Sequence, residues 1–253
     1  MSTVEPSIER ATPAPGEAEL PIDFELPDER ARPYRLQEHL SDGPVVVLFN
    51  RGDWCAYCNG QLASAARRYD EFRARRASIV SISVDGVARN AAWAERLRLP
   101  FPLLADETAA VAAAWGVYDP AAQIARPAIF VVAPDLSVPL RYLGRDYADR
   151  PPFAALLAAL DGLAERQPRA MARAVWLPGP REPRDGGKRA MPLGELAPYL
   201  RGANFGVAAL AGRSADPLVR EEAARYQEML AEFLRHVAAT ERIEGQPIVS
   251  ATP

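Results

Sequence analysis

Lysine is nearly missing from this chain: Lys188 is the only one, so arginine carries almost all of the 30 basic charges, a bias we read as codon usage rather than function. Histidine is scarce too, limited to His39 and His236, and cysteine is confined to Cys55 and Cys58. That inventory is too thin to complete a four-ligand zinc site around the two cysteines. It also cannot build a framework of structural disulfides. No apolar run approaches the ~20 residues of a membrane-spanning helix. The N-terminus has no basic start followed by an apolar core, so no secretory signal peptide is expected and the expected location is cytoplasmic. A formal net charge of −3 argues against a general nucleic-acid binder.

What is present is ordinary for a soluble globular protein. The 253 residues are 49% hydrophobic and 25% charged, enough for one large domain or one domain with a smaller appendage.

The informative stretch is Phe49-Asn50-Arg51-Gly52-Asp53-Trp54-Cys55-Ala56-Tyr57-Cys58. An apolar run, Val45 to Phe49, leads into it, and Leu62, Ala66, Tyr69 and Phe72 follow at helical spacing. Cys55 therefore belongs at the mouth of a strand-to-helix turn, with Cys58 one turn further on. Unpaired amides at a helix N-terminus favour a thiolate. Arg51 would add to that effect and Asp53 would oppose it. The second cysteine is close enough to close a disulfide and release whatever the first has attacked. Half of a metal site and an inert core pair are the competing readings; the first lacks ligands, and the strand-turn-helix setting argues against the second.

Read in order, residues 1–17 form a polar, proline-bearing lead-in. Residues 18–165 form the redox domain. It opens with a short edge strand over Pro21–Asp28 and a helical turn over Leu36–Leu40. The strand 45–49 and a helix running to about Arg76 come next. A strand over 78–84 precedes a helix over 88–97, where Asp85 is placed to cap. An apolar stretch over 99–106 precedes a helix over 107–115, with Asp106 as its cap. A strand over 128–133 turns at Pro134-Asp135 into a hairpin partner over 138–143, and a helix over 152–163 closes the unit. Alternating strands and helices imply an α/β sandwich with a mostly parallel sheet and an antiparallel edge.

Residues 166–192 read as a linker or surface loop, interrupted by Val175-Trp176-Leu177, which would dock on the first domain. Residues 193–243 read as a helical hairpin extension, and 244–253 as a tail. The second helix starts at Asp216-Pro217, a cap followed by an N1 proline. Val219, Ala223, Tyr226, Leu230, Phe233 and Val237 form its apolar stripe. That stripe must bury itself on the preceding helix, on the redox domain, or on a second subunit as a homodimer.

Residues 21–163 resemble the thioredoxin superfamily, and within it the peroxiredoxin-like alkyl hydroperoxide reductase/thiol-specific antioxidant proteins. The resemblance rests on Arg51-Gly52-Asp53-Trp54-Cys55-Ala56-Tyr57-Cys58 after its strand, on Phe24-Glu25-Leu26-Pro27-Asp28, and on Arg126-Pro127-Ala128-Ile129-Phe130-Val131-Val132. It implies a thioredoxin-like three-layer sandwich and thiol chemistry without a bound cofactor or metal. It also implies that Pro127 is a cis-proline facing the cysteines and that Trp54 shields the active surface. The chain departs from the family's Pro-x-x-x-Thr/Ser-x-x-Cys loop: with Cys58 on the final cysteine, Arg51 stands at the proline and Cys55 at the Thr/Ser. The family's peroxide-orienting arginine falls on Pro127, which leaves Arg126 and Arg51 as candidates to stabilise a thiolate or bind an anionic substrate.

These departures put thiol-disulfide exchange first, with Cys55 attacking from the more exposed position and Cys58 resolving. The alternative is a thiol peroxidase acting on hydrogen peroxide or an organic hydroperoxide. A redox sensor signalling through the C-terminal helices is the third reading. Either enzyme needs a thiol reductant, a thioredoxin-like protein or a low-molecular-weight thiol.

Overall fold

The structure, a computed structural model, describes residues 23–170 and 188–243. The lead-in over 1–17, the docking of Val175–Leu177 and the tail over 244–253 lie outside the described residues.

Strand β3 (Val45–Phe49) organises the molecule because all five of its side chains are apolar and buried. Successive side chains of a strand point to opposite faces. Val46 and Leu48 accordingly enter one core, while Val45, Val47 and Phe49 enter the other. Around β3 lie β4 (Ser78–Ser83), β5 (Leu103–Ala105), β8 (Ala128–Val132) and β9 (Leu140–Leu143), in the order β5-β4-β3-β8-β9. β3 pairs in parallel with β4, and β4 with β5, but β3–β8 and β8–β9 are antiparallel. The sheet is thus evenly mixed, not mostly parallel, because the chain reaches β8 from the opposite direction.

One face carries α1 (Leu36–Leu40), α5 (Ala110–Ala114) and an aromatic cluster of Phe24, Phe49, Trp115 and Phe130. The other carries α2 (Ala56–Arg67), α3 (Tyr69–Arg73), α4 (Val87–Leu97) and α6 (Phe153–Leu160). β1 (Glu25–Pro27) is not an edge of the central sheet; it pairs with β2 (Pro33–Arg35) in a separate hairpin. A second small hairpin, β6 (Tyr118–Asp119) with β7 (Ile124–Ala125), has no sequence signal strong enough to predict it. The single helix expected to run to Arg76 breaks at Arg68, whose backbone leaves helical geometry. The helix expected over 107–115 is shorter, Ala110–Ala114, and its N-cap is Ala109 rather than Asp106. Asp106 still serves the helix start, since its carboxylate accepts from the Val111 and Ala112 amides at 3.3 and 2.8 Å. Asp85 does not, since Gly86 is the N-cap of α4 and Asp85 faces Arg89 instead.

The C-terminal helices are α7 (Leu193–Arg213) and α8 (Pro217–Ile243). They pack on each other and on α2, and Leu196, Leu200, Leu230, Phe233 and Val237 join the same core as the two cysteines. The α8 stripe is therefore used within the chain, apart from Val219 at its exposed start. The fit against α2 is close: a Cβ on Gly60 would lie 2.6 Å from Phe233 Cδ2. Glycine inside a helix ordinarily costs about 1 kcal/mol relative to alanine. Here the steric penalty of overpacking, about 1–3 kcal/mol, should win. Gly60→Ala is expected to lower the denaturant midpoint, and the Gly60→Ala/Phe233→Ala double variant to be less unstable than the two single losses summed. A midpoint raised by Gly60→Ala alone would mean that α8 is not seated on α2.

Candidate active site

β3 ends in a loop whose shape is fixed from beneath. The Asn50 amide donates to the Ile82 carbonyl at 2.9 Å and its side chain to Ser81 Oγ at 2.7 Å. Gly52 follows with φ of +143°, and a Cβ there would meet Trp54 Nε1 at 2.6 Å, so only glycine passes under the tryptophan. Asn59 then ties the turn to the helix. Its Nδ2 donates to the carbonyls of Asp53 and Cys55 at 2.8 and 2.9 Å, while its Oδ1 accepts from Trp93 Nε1 at 2.8 Å.

Cys55 is the N-cap of α2, and its sulfur accepts from the Cys58 amide at 3.4 Å. Both thiols are free. Hydrogen bonding from the Cys58 thiol lowers the Cys55 pKa from 9.0 to about 6; the Arg150 charge, the Cys58 amide and the Arg51 charge also lower it, against the cost of burial. Cys58 moves the other way: burial, and then its bond and charge contact with Cys55, push its thiol up. The two environments drive the two pKa values apart, so Cys55 holds the thiolate and Cys58 the proton. The expectation that Cys55 is the more exposed of the two is met only marginally, at 3% against 0%.

Arg150 is the residue that the sequence did not disclose. It lies after β9 and is 5% exposed. Its Nε donates to Gln61 Oε1 at 2.8 Å, Nη1 to the Asp149 carbonyl at 2.8 Å, and Nη2 to Cys58 Sγ at 3.5 Å. Arg126, the expected candidate, is exposed and donates to the Gly116 carbonyl at 3.2 Å; its side chain does not turn inward. Arg51 lies over the Trp54 ring at 4.7 Å and the Tyr147 ring at 5.4 Å. Asp53, expected to oppose the thiolate, is instead held by Arg89 at 2.5 Å. Pro127 is buried immediately before β8, whose Ala128 faces Phe49 at the end of β3, and its carbonyl accepts from the Gly144 amide at 2.8 Å.

The extension supplies the roof. The Met191 amide donates to the Asp53 carbonyl at 3.3 Å, and Lys188 Nζ sits 3.8 Å over the Trp54 ring. Tyr199 of α7 and Tyr147 both meet the Tyr57 ring edge to face, and Tyr226 of α8 hydrogen-bonds the Tyr57 hydroxyl. His39 stacks on Tyr34 and His236 contacts Ser64, so neither joins the cysteines. Among the described residues there is no group of three or more acidic, histidine or cysteine side chains that could hold a metal, and no helix long and apolar enough to cross a membrane.

Residues 18–140 match the AhpC/TSA family. The crystal structure of peroxidoxin BcpB from Mycobacterium tuberculosis is 34% identical, with a TM-score of 0.50 over 55% of this chain and 91% of that one. The chain belongs to the AhpC/TSA family. Its fold is the thioredoxin-like sandwich with a helical C-terminal region. A putative peroxiredoxin of Mycobacterium tuberculosis is 43% identical over 95 residues, which is 38% of this chain and 62% of that protein. The chloroplastic peroxiredoxin Q of Sedum lineare is 36% identical over 97 residues, 38% of this chain and 52% of that protein. The chain thus spans only about half to three-fifths of these curated relatives. The family match stops before Arg150 and before the roofing helices.

Removing the thiol that donates to Cys55 should raise its pKa. The wild-type protein is expected to show alkylation of Cys55 that is lost as pH falls through about 6. In Cys58→Ala that inflection should move upward, toward the ~8.5 of a free cysteine. The check is the pH profile of mass-resolved iodoacetamide labelling. An unmoved inflection would mean that Cys58 does not stabilise the thiolate.

Proposed function

We propose that this protein is a thiol peroxidase for hydrogen peroxide or small organic hydroperoxides, with Cys55 as the attacking thiolate and Cys58 as the resolving thiol. One observation carries the reading: Cys55, whose thiolate is favoured by Cys58, Arg150 and Arg51, is only 3% exposed. A sulfur so enclosed suits a two-oxygen substrate better than a disulfide presented on a polypeptide. The sequence alone favours disulfide exchange; relatives described as peroxiredoxins shift the weight to peroxide.

The chemistry balances within the pair. The Cys55 thiolate attacks one peroxide oxygen, the O–O bond breaks, and the sulfur becomes a sulfenic acid while an alkoxide or hydroxide leaves and takes up a proton. Cys58 then loses its proton and attacks the sulfenic sulfur; the disulfide forms and water departs. Two electrons have passed to the peroxide, and a thiol reductant returns them by exchange at the disulfide. Arg150, fixed by Gln61 and backbone carbonyls, offers fixed positive charge beside the negative charge that develops on oxygen. The same enclosure favours a low-molecular-weight thiol as the reductant over a thioredoxin-like protein, and the expected setting is a reducing compartment such as the cytoplasm.

Disulfide exchange stands as the second reading because Cys55 occupies the family's Thr/Ser position. A single-turnover measurement separates the two: the reduced protein is mixed with hydrogen peroxide and followed by tryptophan fluorescence, beside a free thiol corrected for thiolate fraction. The wild type is expected to react orders of magnitude faster than that control. Cys58→Ser should keep the first step and trap a sulfenic acid, while Cys55→Ser should lose it. A wild-type rate equal to the control would return the function to disulfide exchange. Loss of the first step only in Cys58→Ser would reverse the two roles.

A further inference from the structure

The single lysine of the chain does not lie on an arbitrary surface. Lys188 precedes α7, and its ammonium rests 3.8 Å over the ring of Trp54, the residue immediately before Cys55. Arg51 rests over the same ring at 4.7 Å. Cation–π contact accounts for attraction to the ring, but not for bringing two like charges to one indole. Other cations nearby have partners: Arg89 has Asp53 and Asp85, Arg145 has Asp149, and Arg150 has Gln61 and backbone carbonyls. Among the described residues, neither Arg51 nor Lys188 has a carboxylate partner.

Lys188 is held in place through its backbone. Arg89, already bound to Asp53, also donates to the Lys188 carbonyl at 2.5 Å, and Met191 is tied to the Asp53 carbonyl. Tyr147, whose ring Arg51 also faces at 5.4 Å, and Tyr199, which meets the Tyr57 ring, are partly exposed, at 51% and 46%. Around Trp54, next to Cys55 in the chain, aromatic rings thus stand with two cations that have no carboxylate partner among the described residues.

We propose that Arg51 and Lys188, each set over the Trp54 ring, form a subsite for the carboxylate of a small molecule that reacts at Cys55. The inference rests on the peroxidase reading. It assigns the segment that leads into the helical extension a part in choosing the substrate, through Lys188. The carboxylate belongs either to an organic hydroperoxide or to the small thiol that reduces the disulfide. Both approach the same sulfur, and for both a fixed pair of positive charges raises the local concentration of the anion.

The test compares matched reagents on the full chain, so that reactivity and selectivity are read separately. In one arm, the reduced protein meets a tertiary alkyl hydroperoxide bearing a carboxylate, and the methyl ester of the same compound. In the other, the oxidised protein meets 3-mercaptopropionate, 2-mercaptoethanol and cysteamine, with rates corrected for thiolate fraction. The charged reagent of at least one arm is expected to react roughly tenfold faster than its neutral partner, with the advantage shrinking as salt is added. Lys188→Ala should bring that ratio down severalfold, and Lys188→Arg should restore it. The ratio is internal to each variant, so a general loss of rate does not mimic the effect. Selectivity in the peroxide arm alone assigns the subsite to the substrate; selectivity in the thiol arm alone assigns it to the reductant. Equal rates for charged and neutral reagents in both arms overturn the proposal. So does a ratio that Lys188→Ala leaves unchanged. If the peroxide rates do not exceed the free-thiol control at all, the peroxidase reading itself has failed, whatever the selectivity.

Discussion

A negative charge on a buried sulfur is the constraint on which the rest of this site depends. Removing a thiolate from water is costly, and burial alone would push Cys55 above its free value, as it does Cys58. The sulfur must be compensated from close range, and each compensating group must itself be held. The Cys58 amide is available only because the helix begins at Ala56. That start depends on Gly52 and Asn59 shaping the turn before it. Arg150 is held by Gln61 one turn beyond Cys58, so the helix that carries the thiols also aims the guanidinium. Asp53, the one acid within the motif, does not undo this because Arg89 balances its charge.

The parts of the molecule set by local pattern were legible in the sequence. Val45 to Phe49 could only be a buried strand, and the cysteines could only flank the helix that follows it. Asp216-Pro217 fixed the start of α8, where the Leu218 amide does donate to the Asp216 carboxylate at 2.9 Å. What stayed hidden depends on contacts between distant residues. Arg150 is 92 positions from Cys58, in a loop with no periodicity, and nothing local distinguishes it from other arginines. Arg126 failed as its substitute because it is exposed beside a buried Pro127, at the boundary where the chain turns into β8. The α8 stripe declared that it must be buried but carried no address. The address is a glycine, Gly60, over which Phe233 packs too closely for a Cβ.

The extension changes what kind of site a familiar sandwich presents. The matched family segment supplies the sheet, the motif and both thiols, yet ends at residue 140. Arg150, Lys188, Tyr199 and Tyr226 all come after it. The segment that carries the reactive group is therefore completed by residues outside the recognisable family portion. Kinship in that portion carries the fold and both thiols; the later residues complete the surroundings in which the thiols sit.

The spacing of the cysteines has a further consequence. Cys55 caps the helix and Cys58 lies in its first turn, already hydrogen-bonded to the Cys55 sulfur. The pair can join without displacing a whole element or lifting α8 from α2. A sulfenic acid formed at Cys55 would therefore be short-lived, because its captor is always at hand. Irreversible loss to sulfinic acid requires a second peroxide to arrive first. A thiol so placed should survive surges of oxidant that would inactivate one whose partner must travel. The same closeness makes it a poor recorder of those surges, since the oxidised intermediate hardly lingers long enough to be read.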